Sequence, residues 1–401
     1  MILRRLSRLG VRALVSLVAL TFAAPLWLGS GPSRADDGLF GADSRVENFR
    51  NMDRVFPYRA IARTGGVWAF GKDPRPLPAS YAHDGRDHDL SAFLDRTVTT
   101  GLLVVHRGDI VHEEYRLGAA ETSRFASWSM AKSVLSALIG IAIAEGHIAG
   151  VRDPIGRYVP AIAGSAYENV SIEDALTMSS GVAFDEDYAN PDSDINRLFA
   201  SFATGTPVER IIAGLERIRE PGRFNDYVSS DSMALGLVLE SATGMPLSKY
   251  LETRLWGAMG AEADAFWNMD ATGRDLALCC LNATLRDYAR FGRLYLEMGA
   301  RDGVRIVPAD WVAASVKPTA PHLQPGDNPA SFWSFGYGYK WWIPENPRGD
   351  FLAIGIWGQY IYVDPVREVV IVKTSADPLF DDNDHESVAA FRAIARAIAG
   401  E

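Results

Sequence analysis

The sequence predicts an α/β (α+β) fold: a mixed, mainly antiparallel sheet built from both ends of the mature chain, flanked by helices, with a helical second lobe. Three observations predict it. Strand-like runs lie near both ends, amphipathic helical patterns fill the centre, and one almost wholly apolar helix stands where the period changes.

Taken in order, residues 1–35 read as a signal peptide. Arg4, Arg5, Arg8 and Arg12 precede the apolar stretch ALVSLVALTFAAPLWLG, and Ser33 and Ala35 occupy the −3 and −1 places for cleavage before Asp36. The rival reading is an uncleaved anchor, because the apolar run nearly reaches spanning length. The first reading makes the protein periplasmic or secreted; the second tethers it to a membrane through its leader alone. Residues 36–95, rich in Pro, Gly, Asp and Arg, read as an irregular N-terminal wrapping segment. Residues 96–401 read as one domain, with its helical lobe at roughly 147–320.

Within that domain, TTGLLVVHRGDIVHEEYRL (99–117) gives two strand-like runs around a turn at Arg107-Gly108-Asp109. The Gly serves the turn, so the RGD string receives no adhesion role. SMAKSVLSALIGIAIAEG (129–146) is apolar on most faces and ends at Gly146, as a helix buried inside a domain does. SIEDALTMSS, SSDSMALGLVLESATG, PLSKYLETRLWGAMG and ATLRDYARFGRLYLEMG supply the helical middle. Strand character returns in YGYKWWI, FLAIGIWGQYIYVDP and EVVIVKTS, and ESVAAFRAIARAIAG closes the chain as a helix.

A chain of 401 residues, 48% of them hydrophobic, can bury a large core. Loss of residues 1–35 removes five arginines and no acid, moving the formal charge from −10 to −15. Such a surface repels phosphate backbones and argues against nucleic-acid partners. The two cysteines, Cys279 and Cys280, are adjacent in a helix-like stretch. Neighbouring Cα atoms about 3.8 Å apart fall below the usual disulfide range. Both are therefore expected to be small, unbridged core residues.

The chemistry starts from Ser129 and Lys132. Three residues apart on a helix, they share one face. Burial disfavours the ammonium and moves the lysine towards a neutral amine that accepts a proton, the requirement for activating a serine without histidine. The plain alternative is an N-cap serine with a snorkelling lysine. Tyr227, in FNDYVSSDSMALG, carries a phenol able to pass a proton between nucleophile and leaving group. AIGIWGQYIYVDP is a strand with glycines at 355 and 358, which mark either a close approach or an edge bulge. There the Ile356 N–H, with that of Ser129, would form a two-donor oxyanion hole.

In this order and in these strings the chain resembles the serine β-lactamase and penicillin-binding-protein superfamily, in its class C-like branch of esterases and amidases. Within it, the nylon-oligomer (6-aminohexanoate-dimer) hydrolases are the nearest in pattern. FRNMDRVFPYRAI, SIEDALTMSSGVAFDEDY, PGRFNDYVSSDSMALGLVLESATG, ATLRDYARFGRLYL and GQYIYVDP carry the resemblance over most of residues 45–375. It implies a β-lactamase-like fold, with Ser129 as the acylated nucleophile, Lys132 as its base and Tyr227 as the shared proton donor and acceptor. Ser129 and Ile356 would supply the oxyanion N–H groups. Tyr188 of FDEDY matches a tyrosine that contacts the substrate amide in the nylon-oligomer branch, and Ser229, Gly355 and Trp357 are further candidate substrate contacts. Asp185 and Asp187 would attract a substrate ammonium or simply be solvated loop acids.

Two departures bear on substrate. Tyr227-Val228-Ser229 stands where class C-like enzymes have Tyr-x-Asn, removing an amide that would orient the acyl group. Ala353-Ile354-Gly355 stands where β-lactamases and transpeptidases have Lys-Thr-Gly, whose lysine binds a substrate carboxylate. A competing alignment through Lys373-Thr374-Ser375 is rejected, because GQYIYVDP follows the glycine strand as the family pattern requires.

HDGRDH (83–88) fits no metal-site spacing, and no Gly-x-Ser-x-Gly elbow exists. The Trp-rich SFWSFGYGYKWWIP is core or, in part, the lining of an apolar substrate groove. The expected protein is an exported serine hydrolase of carboxylic esters or linear amides, with a small-molecule substrate and no metal or organic cofactor. The alternatives are a D-amino peptidase or β-lactamase acting on cell-wall peptides or penicillins, and a non-catalytic penicillin-binding-like receptor.

Overall fold

The computed structural model describes residues 38–401, so the signal-peptide reading of residues 1–35 lies outside the described residues. Residues 38–45 belong to a small separate unit of turns, in which the Ser44 hydroxyl donates to the Gly38 carbonyl (3.0 Å). Residues 46–401 form the second unit, which holds everything below.

Its centre is an eight-stranded sheet. The strands are β1 (Gly71–Lys72), β2 (Thr99–His106), β3 (Asp109–Tyr115), β4 (Gly336–Tyr337), β5 (Trp342–Ile343), β6 (Phe351–Gly355), β7 (Gln359–Asp364) and β8 (Val369–Ser375). Their order is β4-β5-β6-β7-β8-β2-β3-β1. Every pairing is antiparallel except β1 on β3. The sheet thus joins the two ends of the chain, as the strand signals predict. YGYKWWI is not one strand, however: β4 and β5 are separated by a turn in which Lys340 takes a left-handed backbone (φ 64°).

Period-2 alternation sorts the strand residues onto two faces. Leu102, Val104, Tyr360, Tyr362, Val369 and Ile371 pack with Phe93 and with Phe391 and Ile394 of the C-terminal helix α4 (Phe380–Ala399). Leu103, Ile361, Val363, Val370 and Val372 face the other way. Helix α3 (Leu285–Leu296) lies on that side, so close that a Cβ at Gly292 would sit 2.7 Å from Val370 and 2.9 Å from Ile361. Each large aliphatic side chain buried this way contributes about 1.5–3 kcal/mol.

Helix α1 (Ala131–Ala144) is buried from Ala131 to Ala142 and packs against α2 (Ser229–Thr243) of the helical middle. The sequence places its start at Ser129. In the structure Trp128–Met130 form a 3-10 turn, and α-helical geometry begins two residues later. A second sheet of four short strands, in the order 58–61, 265–268, 281–283, 125–126, delivers the chain to that turn. It draws residues 58–61 of the N-terminal segment into regular structure, through pairing with a strand two hundred residues away that no local pattern announces.

The cysteine expectation is corrected. Cys279 and Cys280 are buried but not helical, and the structure joins them as a disulfide across neighbouring Cα atoms 3.7 Å apart. The chain accommodates the pair through a left-handed backbone at Cys280 (φ 79°). HDGRDH becomes the turn of a hairpin between residues 80–83 and 86–89.

Candidate active site

Ser129 sits on the 3-10 turn between the small sheet and α1. The turn is anchored from both sides: Ser127 N–H donates to Leu281 O (2.8 Å), and Met130 N–H to Ser127 O (3.1 Å). Trp128, immediately before the serine, has φ 43°, a left-handed conformation costly for a large side chain and typical of residues that aim a functional group. Its indole is held by Phe49 (ring centroids 5.1 Å apart) and Phe199 (6.5 Å).

Lys132 is buried, and its Nζ donates to Ser129 Oγ (2.7 Å) and to the Leu278 carbonyl (2.8 Å). Three-residue spacing brings the two side chains together even though the serine precedes the helix. Burial pushes the ammonium down to about 7, while the charge of Glu186 works in the opposite direction. The amine therefore exchanges its proton near neutrality, within hydrogen-bonding reach of the hydroxyl.

The Ser129 hydroxyl also acts on the Tyr227 phenol, favouring its ionised form against the stronger effect of burial. Its ring stacks on Trp342 (5.3 Å, 20°), with Tyr337 and Trp333 edge-on at 6.2 and 6.4 Å, and Lys132 Nζ lies 5.1 Å from its centroid. Burial, then the Glu186 charge, raises the phenol well above its ordinary value, so it stays protonated and able to donate.

Gly355, the last residue of β6, meets the nucleophile turn. A Cβ there would lie 2.5 Å from Ser127 O and 3.0 Å from the Ser129 nitrogen, a contact only glycine permits. Ile356 and Trp357 follow Gly355 in the tight turn to β7. Lys373 is two strands further in, buried on β8 with its Nζ on Ser375 Oγ (2.6 Å). The geometry agrees with aligning residues 353–355, and not 373–375, as the site strand.

Tyr188 and Ser229 reach the site through a residue that sequence reasoning passed over. Glu186, half-buried, accepts from Ser229 N–H (2.8 Å), Ser229 Oγ (2.5 Å) and Tyr188 OH (2.8 Å). Burial raises its carboxyl, against the pull of Lys132. Asp185 and Asp187 on either side are exposed, and each accepts a backbone N–H of its own loop. Only the middle acid of the run turns inward, a distinction composition does not carry. The Leu278 carbonyl leaves no signal in sequence either, since every residue has one.

The site therefore joins a serine, a buried lysine that titrates near neutrality and a protonated tyrosine, between a mixed sheet and a helical lobe. That combination defines a hydrolase of the serine β-lactamase fold. The chain belongs to the Beta-lactamase family, whose model matches residues 87–393. It is 31% identical over 342 residues to the 6-aminohexanoate-dimer hydrolase of Paenarthrobacter ureafaciens, across 82% of this chain and 85% of that one. A solved Bacillus anthracis structure, provisionally designated a 6-aminohexanoate-dimer hydrolase, matches with a TM-score of 0.83 at 23% identity, covering 92% of this chain and 99% of that one. A family VIII carboxylesterase structure matches with a TM-score of 0.59 at 15% identity, over 76% and 94% of the two chains.

Proposed function

We propose that this chain hydrolyses carboxylic esters or linear amides through an acyl-enzyme on Ser129. The observation that carries the reading is the 2.7 Å hydrogen bond between Ser129 Oγ and a lysine whose buried amine titrates near 7. Neutral Lys132 takes the hydroxyl proton as Oγ attacks the substrate carbonyl. The N–H groups of Ser129 and Ile356 receive the oxyanion. Tyr227 donates its proton to the departing alcohol or amine, the bond to the leaving group breaks, and the tyrosine recovers a proton from Lys132. Water then attacks the ester on Ser129 with the same groups in reverse, and the carboxylic acid leaves. The likeness to a hydrolase named for a linear amide dimer supports the amide side of this reading.

The rival substrates, penicillins and D-amino peptides, carry a carboxylate. Ala353 offers no charge to receive one, and Lys373 is committed to Ser375 inside the sheet. We further infer export, from the arginine-led apolar stretch and the Ser33-x-Ala35 cleavage site of the first 35 residues.

The test is incubation with a short-chain nitrophenyl ester, an aminohexanoate oligomer and a labelled penicillin, followed by intact mass. Ester or oligomer turnover, a transient acyl adduct on Ser129, and loss of both in Ser129→Ala are expected. Stable penicillin labelling without turnover of the other two would overturn the reading.

A further inference from the structure

In the mechanism above, the Ile356 N–H must meet an oxyanion that exists only in the transition state. It comes from a three-residue turn, Ile356–Gly358, in which Trp357 (φ 65°) and Gly358 (φ 79°) are both left-handed. The Cβ of a tryptophan disfavours that conformation, so the turn needs an external constraint.

The constraint is the side chain of Gln359, the first residue of β7, which is 2% exposed and folds back over the turn. Its Nε2 donates to Trp357 O (3.0 Å) and to Ser375 O (2.7 Å) on β8, with Ile356 O at 3.4 Å. Its Oε1 accepts the Ser375 N–H (3.2 Å), which fixes which end of the amide faces the turn. The two amide protons thus tie one turn carbonyl to one β8 carbonyl. The Asp377 N–H also donates to Trp357 O (3.1 Å). Gly355, on the other side, is held by its place in the β6–β7 ladder. With Gly355 fixed before it and the Trp357 carbonyl fixed after it, the segment that carries the Ile356 N–H is held from both sides.

We infer that Gln359 is a positioning residue for acyl transfer, acting through the Ile356 N–H; the inference rests on the acyl-enzyme reading above. The amide touches neither the substrate nor Ser129. Its effect is to hold a donor where charge will develop, and that kind of preorganisation is felt in kcat rather than in ground-state binding.

The experiment compares the full chain with Gln359→Met and Gln359→Leu, which keep most of the volume, remove the donors to the turn and add no charge. Turnover of nitrophenyl acetate is expressed per Ser129 titrated with a phosphonate, so unfolded molecules do not enter. Both variants are expected to lose about 10²-fold in kcat, with KM within threefold and the acidic limb of the pH profile unmoved. Phosphonylation should slow in parallel, because it too builds an oxyanion. A kcat within threefold of wild type in either variant would overturn the inference, as would a displaced acidic limb, which would mean that the amide acts through Lys132. If the wild type neither turns over ester nor labels on Ser129, it is the acyl-enzyme reading that fails; an active wild type with unimpaired variants removes Gln359 alone.

Discussion

Replacing Glu186 by glutamine should shift the acidic limb of the pH–rate profile to lower pH. The base must be neutral to act, so activity rises as pH climbs through the Lys132 pKa. Burial has brought that value from 10.5 to about 7, which corresponds to roughly 5 kcal/mol against the ammonium. Glu186 opposes this, because its negative charge favours the protonated amine. An opposite charge in such a site is worth about one to three pKa units. The lower end applies here, since Lys132 spends its hydrogen bonds on Ser129 and Leu278 O and Glu186 acts on it without a direct ion pair. Removing the charge should therefore lower the Lys132 pKa by about one unit, or ~1.4 kcal/mol. Glutamine is nearly isosteric, and its carbonyl can still accept from Ser229 N–H and Tyr188 OH, so the geometry should survive. The assay is kcat/KM for a nitrophenyl ester from about pH 5 to 9 at constant ionic strength, with the limb expected near pH 7 in the wild type and near about pH 6 in Glu186→Gln. Tyr227 cannot produce this limb, because its phenol is raised and stays neutral throughout. A limb that stays in place, or moves upward, would refute the electrostatic reasoning.

Tyr227→Phe removes the proton donor but keeps the ring stacked on Trp342. We expect a fall of roughly 10²–10⁴ in kcat/KM with a melting temperature within a few degrees of wild type. Gly355→Ala puts a methyl group 2.5 Å from Ser127 O and 3.0 Å from the Ser129 nitrogen. The strand must back away from the nucleophile, which should cost about 1–3 kcal/mol in denaturant unfolding and at least about tenfold in kcat.

Much of this was legible in sequence because the signals are local. Runs of β-branched and aromatic residues mark β2, β3, β7 and β8, the Ser129–Lys132 spacing survives a change from α-helix to 3-10 turn, and the glycine of Ala353-Ile354-Gly355 marks the close approach. What stayed hidden depends on contacts distant in the chain. Glu186 differs from Asp185 and Asp187 only by the Ser229 and Tyr188 groups that turn it inward. The aromatic wall around Tyr227 comes from Trp333, Tyr337 and Trp342, more than a hundred residues later. Helix α1 begins two residues after Ser129, behind a left-handed Trp128 and a 3-10 turn tied to Leu281 of the small sheet, a partner far along the chain.

A depressed lysine pKa does not by itself identify a base. Among the described residues Lys132, Lys340 and Lys373 are all buried and all pushed down to about 7, chiefly by burial. Two of them hold a serine: Lys132 reaches Ser129 at 2.7 Å and Lys373 reaches Ser375 at 2.6 Å. By distance and proton affinity the pairs are equivalent. They differ in where the serine stands in the fold. Ser375 lies in β8, paired to β2 at Thr99, and the rings of Phe93 and Tyr360 stand 5.4 and 5.6 Å from the Lys373 ammonium. Ser375 is thus held within the sheet, its N–H on Gln359 Oε1. Ser129 lies on a turn outside any strand, with Gly355 against its nitrogen and its hydroxyl acting on the half-buried Tyr227. Lys340 spends its protons on Ala175 O and Met178 Sδ and has no hydroxyl to activate. The same burial physics therefore yields one candidate base and two structural amines, and the place of the serine on a turn beside Gly355, not the lysine, separates them.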